Sequence, residues 1–279
     1  FFRTLHVERC GTIRTRHAVG WRVARVIVVA NQKGGVGKTT TAVNLAASLA
    51  AAECPTLLID LDPQANATSS LGFSPSDYSG DTYDALLGDA KLGEVLLETQ
   101  LQFLKLAPSS TELVGAEVEL ATAVDREQRL KRAISEIREH FRVVLIDTPP
   151  SLGLLTLNAL VAADSVLVPL QCEYLALEGL AKLTQTIDLV RSSLNPTLEI
   201  EGLLLTMYDV RNNLAMQVAR ETREHFPGKV FRTVIPRNVR LSEAPSFGKP
   251  ALLYDINSKG ALSYLQLAEE ILERINHGH

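Results

Sequence analysis

A glycine- and lysine-rich turn at residues 31–40 is the chemically most informative part of the chain. It reads Asn-Gln-Lys-Gly-Gly-Val-Gly-Lys-Thr-Thr and separates a short apolar run from a stretch rich in alanine and leucine. Glycines at this spacing let backbone N–H groups turn toward phosphate oxygens, and the amino end of a following helix adds partial positive charge. We predict that Lys38 contacts the β- and γ-phosphates of a nucleotide and that the Thr39 hydroxyl binds Mg²⁺.

The turn departs at one position from the general pattern G-x-x-x-x-G-K-[ST], because Gln32 replaces the first glycine. The variant K-G-G-x-G-K-T-T resembles the deviant Walker A loop of the ParA/MinD/nitrogenase-iron-protein superfamily. This resemblance implies that Lys33 reaches the phosphates of a second subunit, so that two ATP molecules lie between two protomers. The predicted nucleotide-binding residues of the turn are Lys33, Gly34, Gly35, Val36, Gly37, Lys38, Thr39 and Thr40.

Three aspartates follow apolar, strand-like runs. Asp60 and Asp62 flank a leucine, so strand geometry points both carboxylates to one side. Their repulsion there is offset only if they hold a cation or position an attacking water molecule. Asp147 follows four apolar residues, the Walker B arrangement that delivers a carboxylate to Mg²⁺ through water. By resemblance, Asp62 orients the hydrolytic water and Asp60 supports the magnesium shell. The predicted catalytic residues are Lys33, Lys38 and Asp62.

Short β-branched runs alternate with longer helical stretches from Val26 onward. This order predicts an α/β fold: a mainly parallel twisted sheet with helices on both faces, forming a single P-loop NTPase domain over residues 26–279. The predicted strands are 26–30, 56–60, 101–107, 142–147, 165–170, 198–206 and 229–235. The predicted helices are 39–52, 112–123, 126–140, 175–193, 213–225 and 259–275.

Composition narrows the possible classes of protein. The net charge is -4 over 279 residues, so a nucleic-acid contact requires a local basic patch. The three cysteines lie far apart and form no C-x-x-C motif, which argues against a zinc site, an iron–sulfur site and a disulfide framework. This cysteine usage is typical of a protein in a reducing cytosol. No apolar run reaches the roughly 18–20 residues that a membrane-spanning helix needs. We expect a cytoplasmic, nucleoid-associated protein without a membrane partner.

Residues 1–25 differ from the rest of the chain, with six arginines, one acid and no clear periodicity. A signal peptide needs an apolar run of about 7–15 residues, which this segment lacks. We predict a disordered basic leader or an over-extended start. The alternative is a basic arm that contacts DNA.

Three segments, 31–44, 60–72 and 234–250, resemble chromosomal ParA (Soj) partitioning ATPases. The resemblance implies an ATP- and Mg²⁺-dependent ATPase that forms a homodimer on ATP binding and binds double-stranded DNA without sequence preference. It also implies a ParB/Spo0J-like partner that stimulates hydrolysis. Ala65 is a departure, because glycine is the usual residue of the family there. MinD-type relatives end in a basic amphipathic membrane helix, whereas residues 262–273 are acidic on their polar side.

Basic residues are concentrated near the third of these segments. Five cations lie within residues 229–249, against the single acid Glu243: Lys229, Arg232, Arg237, Arg240 and Lys249. Such a cluster either neutralises DNA phosphates without reading bases or is an ordinary solvated surface. The resemblance implies DNA contacts at Arg211 and Arg240. It also implies adenine contacts near Thr206–Met207 and Pro236–Asn238, that is, at Met207, Pro236 and Asn238.

Two other functions remain open. An amide- or cofactor-biosynthesis synthetase of the same superfamily uses the same loop but needs a pocket for a small-molecule acid. A non-enzymatic DNA-binding module would use ATP only as a structural clamp. ATP turnover that depends on DNA and a ParB-like partner, and that disappears in Asp62→Ala, would separate both from a partitioning ATPase.

Overall fold

The computed structural model describes residues 23–173 and 176–277, so most of the predicted leader lies outside the described residues. Within them, seven strands form one sheet: β1 (Arg25–Val29), β2 (Thr56–Asp60), β3 (Leu97–Glu98), β4 (Leu104–Ala107), β5 (Val143–Asp147), β6 (Ser165–Gln171) and β7 (Glu199–Thr206). Their order across the sheet is β3-β4-β2-β5-β1-β6-β7. Every pairing is parallel except that of β3 with β4.

Helices connect the strands and cover the sheet. They are α1 (Lys38–Ala51), α2 (Asn66–Ser70), α3 (Thr82–Leu87), α4 (Leu113–Glu119), α5 (Arg129–Ser135), α6 (Leu154–Ala162), α7 (Ala176–Ser193), α8 (Asn213–His225), α9 (Val239–Glu243), α10 (Ala251–Tyr254) and α11 (Lys259–His277). Short 3₁₀ turns lie at Leu92–Glu94, Leu120–Thr122, Arg126–Gln128, Arg138–His140 and Ala244–Phe247. In the described ranges, no helix combines the length and apolarity needed to cross a bilayer.

Alternate residues of the central strands enter two separate cores. Ile27 and Val29 pack with α1, α2 and α11, whereas Val26 and Val28 pack with the helices from α3 to α8. Successive side chains of a strand point to opposite faces, so a fully apolar strand needs helices on both sides. The fold is therefore a single α/β domain of the predicted type. Its boundary at residue 26 stays a prediction.

The predicted strand at 229–235 is wrong. This segment runs beside β7 but makes only isolated bridges, at Leu203 with Val230 and at Tyr208 with Pro236. The backbone N–H groups of Arg232 and Thr233 donate instead to the Glu270 carboxylate on α11, at 3.0 and 3.1 Å. A carboxylate from a distant helix thus replaces the hydrogen bonds that would extend the sheet.

Two predicted helices are broken into shorter pieces. The segment predicted at 112–123 ends its α-helix at Glu119, and the segment at 126–140 consists of α5 between two 3₁₀ turns. Asn158 on α6 accounts for the second break, because its side chain donates to the Arg126 carbonyl and accepts from the Leu130 N–H. These contacts use backbone groups that a continuous helix would pair internally.

Candidate nucleotide and magnesium site

The predicted phosphate loop joins β1 to α1 at the carboxyl edge of the sheet, and neighbouring strands hold it in place. The Asn31 side chain donates to the Pro169 carbonyl on β6 at 2.7 Å and accepts from the Lys33 N–H at 3.0 Å. The Thr206 hydroxyl at the end of β7 donates to the Val36 carbonyl at 2.8 Å. The loop is therefore anchored to β6 and β7.

The glycines of the loop leave an open concave backbone. Gly35 and Gly37 have φ angles of +74° and +88°, which side chains rarely tolerate. A Cβ added at Gly34, Gly35 or Gly37 would meet no heavy atom within 4 Å. The space beside this backbone lies at the amino end of the 14-residue helix α1. Open space, glycine backbone and helix terminus together fit a phosphate group.

The two loop lysines lie in different surroundings. Lys38 is buried, with 7% of its surface exposed, and its ammonium group donates to the Lys33 carbonyl at 3.5 Å. Burial lowers the pKa of Lys38, while the charges of Asp147 and Asp62 oppose that shift. Lys33 is half-exposed and pairs with Glu173 at 2.6 Å. The structure thus brings Lys38 near two of the predicted aspartates and directs Lys33 to another carboxylate.

Asp147 is the most distinctive group of the site. It is fully buried at the end of β5, and neither of its carboxylate oxygens has a hydrogen-bond partner among the described residues. Burial raises the pKa of Asp147 well above its usual range, as does the charge of Asp60. The Thr39 hydroxyl lies near enough to oppose the rise, as does the charge of Lys38, but the geometry of the hydroxyl falls short of a hydrogen bond to either oxygen. A buried carboxylate without a partner is costly. A hydrated Mg²⁺ ion would satisfy it, so the residues present fit the predicted metal.

Asp60 is paired with Asp147 in the register between β2 and β5, and it is also fully buried. Its carboxylate accepts from the N–H and hydroxyl of Thr68, both at 2.8 Å, and from the Asp62 N–H at 3.2 Å. Burial raises the pKa of Asp60 to about 6. Asp60 therefore anchors the loop that follows β2 and lies beside Asp147. Direct magnesium coordination by Asp60 stays a prediction.

Asp62 lies on the loop that Asp60 anchors. It is buried, and its carboxylate accepts from the Gln64 N–H at 3.0 Å. The Ser109 hydroxyl, just beyond β4, donates to the Asp62 carbonyl at 2.6 Å, and the Ser109 N–H donates to the Thr68 hydroxyl at 3.0 Å. Sequence reasoning missed Ser109 and Thr68. Ser109 had a usable signal, since polar residues just past strand ends meet at this edge.

The predicted adenine-binding residues belong to two adjacent segments. Met207 directly follows Thr206, which holds the phosphate loop, and its φ of +50° is unusual for a residue other than glycine. Tyr208 pairs with Pro236 in a parallel bridge. Asn238 accepts from the Arg240 N–H at 3.0 Å and thereby caps α9. Met207 and Pro236 are thus neighbours near the loop, while adenine contacts at all three residues stay predictions.

The cations predicted as one basic patch form two groups. Lys229 donates to the Ile200 carbonyl at 3.3 Å, whereas the Arg237 N–H donates to the Tyr208 carbonyl at 3.4 Å. Those two carbonyls are separated by about 25 Å along an extended strand. Arg232 lies with the first group and pairs with Glu273 on α11 at 2.7 Å. Lys229 and Arg237 therefore do not belong to one continuous patch.

The two arginines assigned to DNA carry acidic partners. Arg211 is 86% exposed and binds Asp209 through two nitrogens, at 2.9 and 3.0 Å. Arg240 is half-exposed and pairs with Glu243 at 2.7 Å and with Asp255 at 3.3 Å. Both are accessible on the surface, and their DNA contacts stay predictions.

Comparisons with known proteins identify the family. A family model described as an AAA domain matches residues 24–200. The chromosome partitioning protein ParA of Myxococcus xanthus is 58% identical over 256 residues, which cover 91% of this chain and 90% of that protein. The chromosome-partitioning ATPase Soj of Treponema pallidum is 51% identical over 253 residues, covering 90% and 98% of the two chains.

A solved structure extends the comparison to three dimensions. Cobyrinic acid a,c-diamide synthase from Mycobacterium smegmatis, with bound ATP analogue and magnesium, superposes with a TM-score of 0.81. It is 39% identical and covers 92% of this chain and 98% of its own. The partitioning relatives are more similar in sequence, at a comparable coverage of the chain. The chain therefore belongs to the ParA/Soj family of chromosome-partitioning ATPases.

Proposed function

We propose that the protein is an ATP-controlled DNA-binding switch. ATP and Mg²⁺ bind the phosphate loop, two protomers close around two nucleotides, and the dimer binds double-stranded DNA of any sequence at the nucleoid. Hydrolysis, stimulated by a ParB/Spo0J-like partner, separates the protomers and releases the DNA. The observation that carries the proposal is the unpartnered, buried Asp147 carboxylate beside an open glycine backbone.

The nucleotide-binding part of the proposal rests on the loop and its neighbours. Backbone N–H groups between Gly34 and Thr39 hold the phosphates, and the buried Lys38 ammonium offsets their charge. Thr39 and Asp147 would hold Mg²⁺, with Asp60 supporting them. When bound, Mg²⁺ neutralises charge on the phosphate oxygens. The M. smegmatis synthase supports this assignment, because it has the same fold and was solved with an ATP analogue and magnesium.

Hydrolysis requires little covalent chemistry from the protein. Asp62 orients the attacking water, and its position is held by the Gln64 N–H and the Ser109 hydroxyl. Lys38 and the partner protomer's copy of Lys33 stabilise charge on the phosphates. Catalysis thus consists of positioning and electrostatics, and the second protomer completes the site.

Non-specific DNA binding is assigned to Arg211 and Arg240. Both are accessible and already pair with carboxylates at charge-assisted hydrogen-bond distances. Phosphate oxygens of DNA can take the place of these carboxylates. We expect charge reversal in Arg240→Glu to abolish salt-sensitive retention on DNA without changing ATP affinity. Arg232→Glu is the matched control, because Arg232 lies in the other cation group beside Glu273. Equal loss of DNA binding in both variants would contradict the assignment.

The proposal is tested most directly by gel filtration of wild type and Lys33→Ala with ATP, with ADP and without nucleotide. We expect wild type to dimerise with ATP alone and Lys33→Ala to stay monomeric, because the variant lacks the ammonium that crosses to the second nucleotide. A wild-type protein that remains monomeric with ATP would overturn the switch.

Two alternatives are distinguished by their substrates. The M. smegmatis structure, described as a cobyrinic acid a,c-diamide synthase, gives a specific reason to test amide synthesis. An ATPase rate that requires a small-molecule acid, and not DNA with a ParB-like partner, would favour that function. A DNA-binding module that uses ATP only as a structural clamp would not hydrolyse ATP. Asp62→Ala would then have no ATPase activity to remove.

A further inference from the structure

The side chain of Lys33 is held by a carboxylate of its own chain. Its ammonium nitrogen lies 2.6 Å from Glu173 Oε2, and the two side chains are 39% and 49% exposed. Glu173 follows β6 in the sequence by two residues, at the same sheet edge as the phosphate loop. The lysine expected to serve a partner's nucleotide thus already has an anionic ligand.

Local hydrogen bonds fix both members of this pair. The Gln171 side chain donates to Glu173 Oε1, and the Glu173 N–H donates to the Gln171 carbonyl at 2.8 Å. The Glu173 carbonyl accepts from the Ala176 N–H at 2.9 Å. On the other side, Asn31 holds the Lys33 N–H at 3.0 Å. Because both backbones are constrained, the side chains meet without ordering a long flexible segment.

The Glu173 carboxylate and a partner's phosphate compete for the same ammonium group. Lys33 Nζ cannot stay 2.6 Å from Glu173 and at the same time contact a phosphate on another protomer. We infer that Glu173 is a positioning residue that retains Lys33 on its own protomer until a partner's nucleotide displaces it. Glu173 thereby raises the protein concentration at which ATP drives dimerisation. This inference rests on the proposed nucleotide-sandwich dimer.

The exposure of the pair limits the size of its effect. Solvent-exposed ion pairs contribute little, so removing the Glu173 charge should lower the midpoint concentration of dimerisation by about two- to fivefold. Glu173 therefore biases the equilibrium and does not block it. High salt should weaken the bias, because the Debye length falls to about 3 Å at about 1 M.

The test compares Glu173→Gln with wild type by sedimentation velocity in a non-hydrolysable ATP analogue over a protein concentration series. Glu178→Gln is the matched control, because Glu178 is an exposed acid on the adjacent helix α7 that pairs with Lys182 at 2.8 Å. We expect a lower midpoint for Glu173→Gln at low salt only, and a wild-type midpoint for Glu178→Gln. The salt dependence separates loss of the ion pair from a general packing effect.

The outcomes distinguish this inference from the proposed function. If wild type dimerises and Glu173→Gln has the same or a higher midpoint, the role of Glu173 is overturned and the switch stands. An equal shift in Glu178→Gln, or a Glu173→Gln shift that persists at about 1 M salt, also overturns that role. If wild type stays monomeric at every concentration, the sandwich dimer fails and this inference fails with it.

Discussion

The buried carboxylates at the amino and carboxyl edges of the sheet, where the parallel strands begin and end, differ in their hydrogen bonding. At the amino edge, Glu201 on β7 is almost fully buried, and its carboxylate accepts from Arg25 at 3.0 Å and from Ser165 at 2.6 Å. At the carboxyl edge, Asp147 is fully buried but has no hydrogen-bond partner among the described residues. One carboxylate is satisfied by its own chain, and the other requires something from outside.

This difference separates structural charge from functional charge. The amino edge also has a cavity of about 300 Å³, large enough for several water molecules. Its lining includes Arg25, Glu201, Lys229 and Arg274. Its charged groups already have protein partners: Arg274, for example, donates to the Glu201 carbonyl at 2.6 Å. A cavity alone is thus a weaker indicator of function than an unsatisfied buried group.

Asp147→Asn should produce the largest functional change at the carboxyl edge. We expect the steady-state ATPase rate to fall about 10²–10³-fold, the usual effect of removing one preorganised electrostatic group. The melting temperature of the nucleotide-free protein should stay equal or rise, because the substitution removes an unpaired buried acid beside Asp60. Calorimetry and a phosphate-release assay check both parts. A large loss of stability would place Asp147 among the structural charges.

Glu201→Ala should produce the reverse pattern at the amino edge. Breaking a buried pair leaves Arg25 and Ser165 without their main partner, so we expect a loss of roughly 3 kcal/mol and a fall in Tm of roughly 6–12 °C. Mg²⁺–ATP affinity of the folded protein should not change. The control is Glu199→Ala, since the Glu199 side chain is 59% exposed and lies 3.9 Å from Arg25. Similar losses in both variants would contradict the comparison.

The raised pKa of Asp60, to about 6, predicts a pH effect on the nucleotide-free protein. The folded chain binds this proton more tightly than the unfolded chain, where an aspartate has a pKa of about 3.9. The contribution of Asp60 to the free energy of unfolding is thus present at low pH and is lost as the pH rises from about 4 through 6.

Urea unfolding of wild type and Asp60→Asn across this pH range measures the effect. The difference between the two proteins cancels the contribution of distant acids of opposite shift, such as Asp209, whose pKa is lowered to about 2 by Arg211. It retains the contribution of Asp60 together with its effect on the neighbouring Asp147. We expect wild type to lose stability relative to the variant as the pH rises. A difference that is independent of pH would mean that Asp60 titrates normally.

The carboxyl edge was largely predictable from sequence because its signals are local. The spacing of glycine and lysine at 31–40, and the aspartates that end β2 and β5, define the loop and place it in a parallel sheet. The alternation of apolar runs and helices then determines that these residues meet at one edge. The chemistry could be inferred without knowing any distant contact.

The remaining features depend on residues far apart in the chain. Glu270 removes the predicted strand at 229–235, Asn158 divides the predicted helix at 126–140, and Glu173 holds Lys33 across 140 positions. Each partner is a single polar side chain on another element, and no local pattern marks it. The basic cluster is divided for the same reason, because Lys229 and Arg237, close in sequence, lie at opposite ends of β7.

Ala65 offers the smallest and most specific test of the carboxyl edge. It lies on the loop after Asp62 with φ +51° and ψ +35°, in the left-handed region where a Cβ is strained. We expect Ala65→Gly to raise Tm by roughly 2–4 °C, about 1 kcal/mol, because glycine adopts this conformation without that strain. The matched control is Ala67→Gly, two residues later within α2 and fully buried, which should lower Tm because glycine is unfavourable in a helix.

Opposite signs for the same chemical change would show that backbone strain is concentrated at the loop that carries Asp62 and not spread over α2. Strain of this kind is typical of segments that change conformation with ligand. If both variants lower Tm equally, the backbone of Ala65 is unstrained. The carboxyl edge would then differ from the amino edge only in the unpaired carboxylate of Asp147.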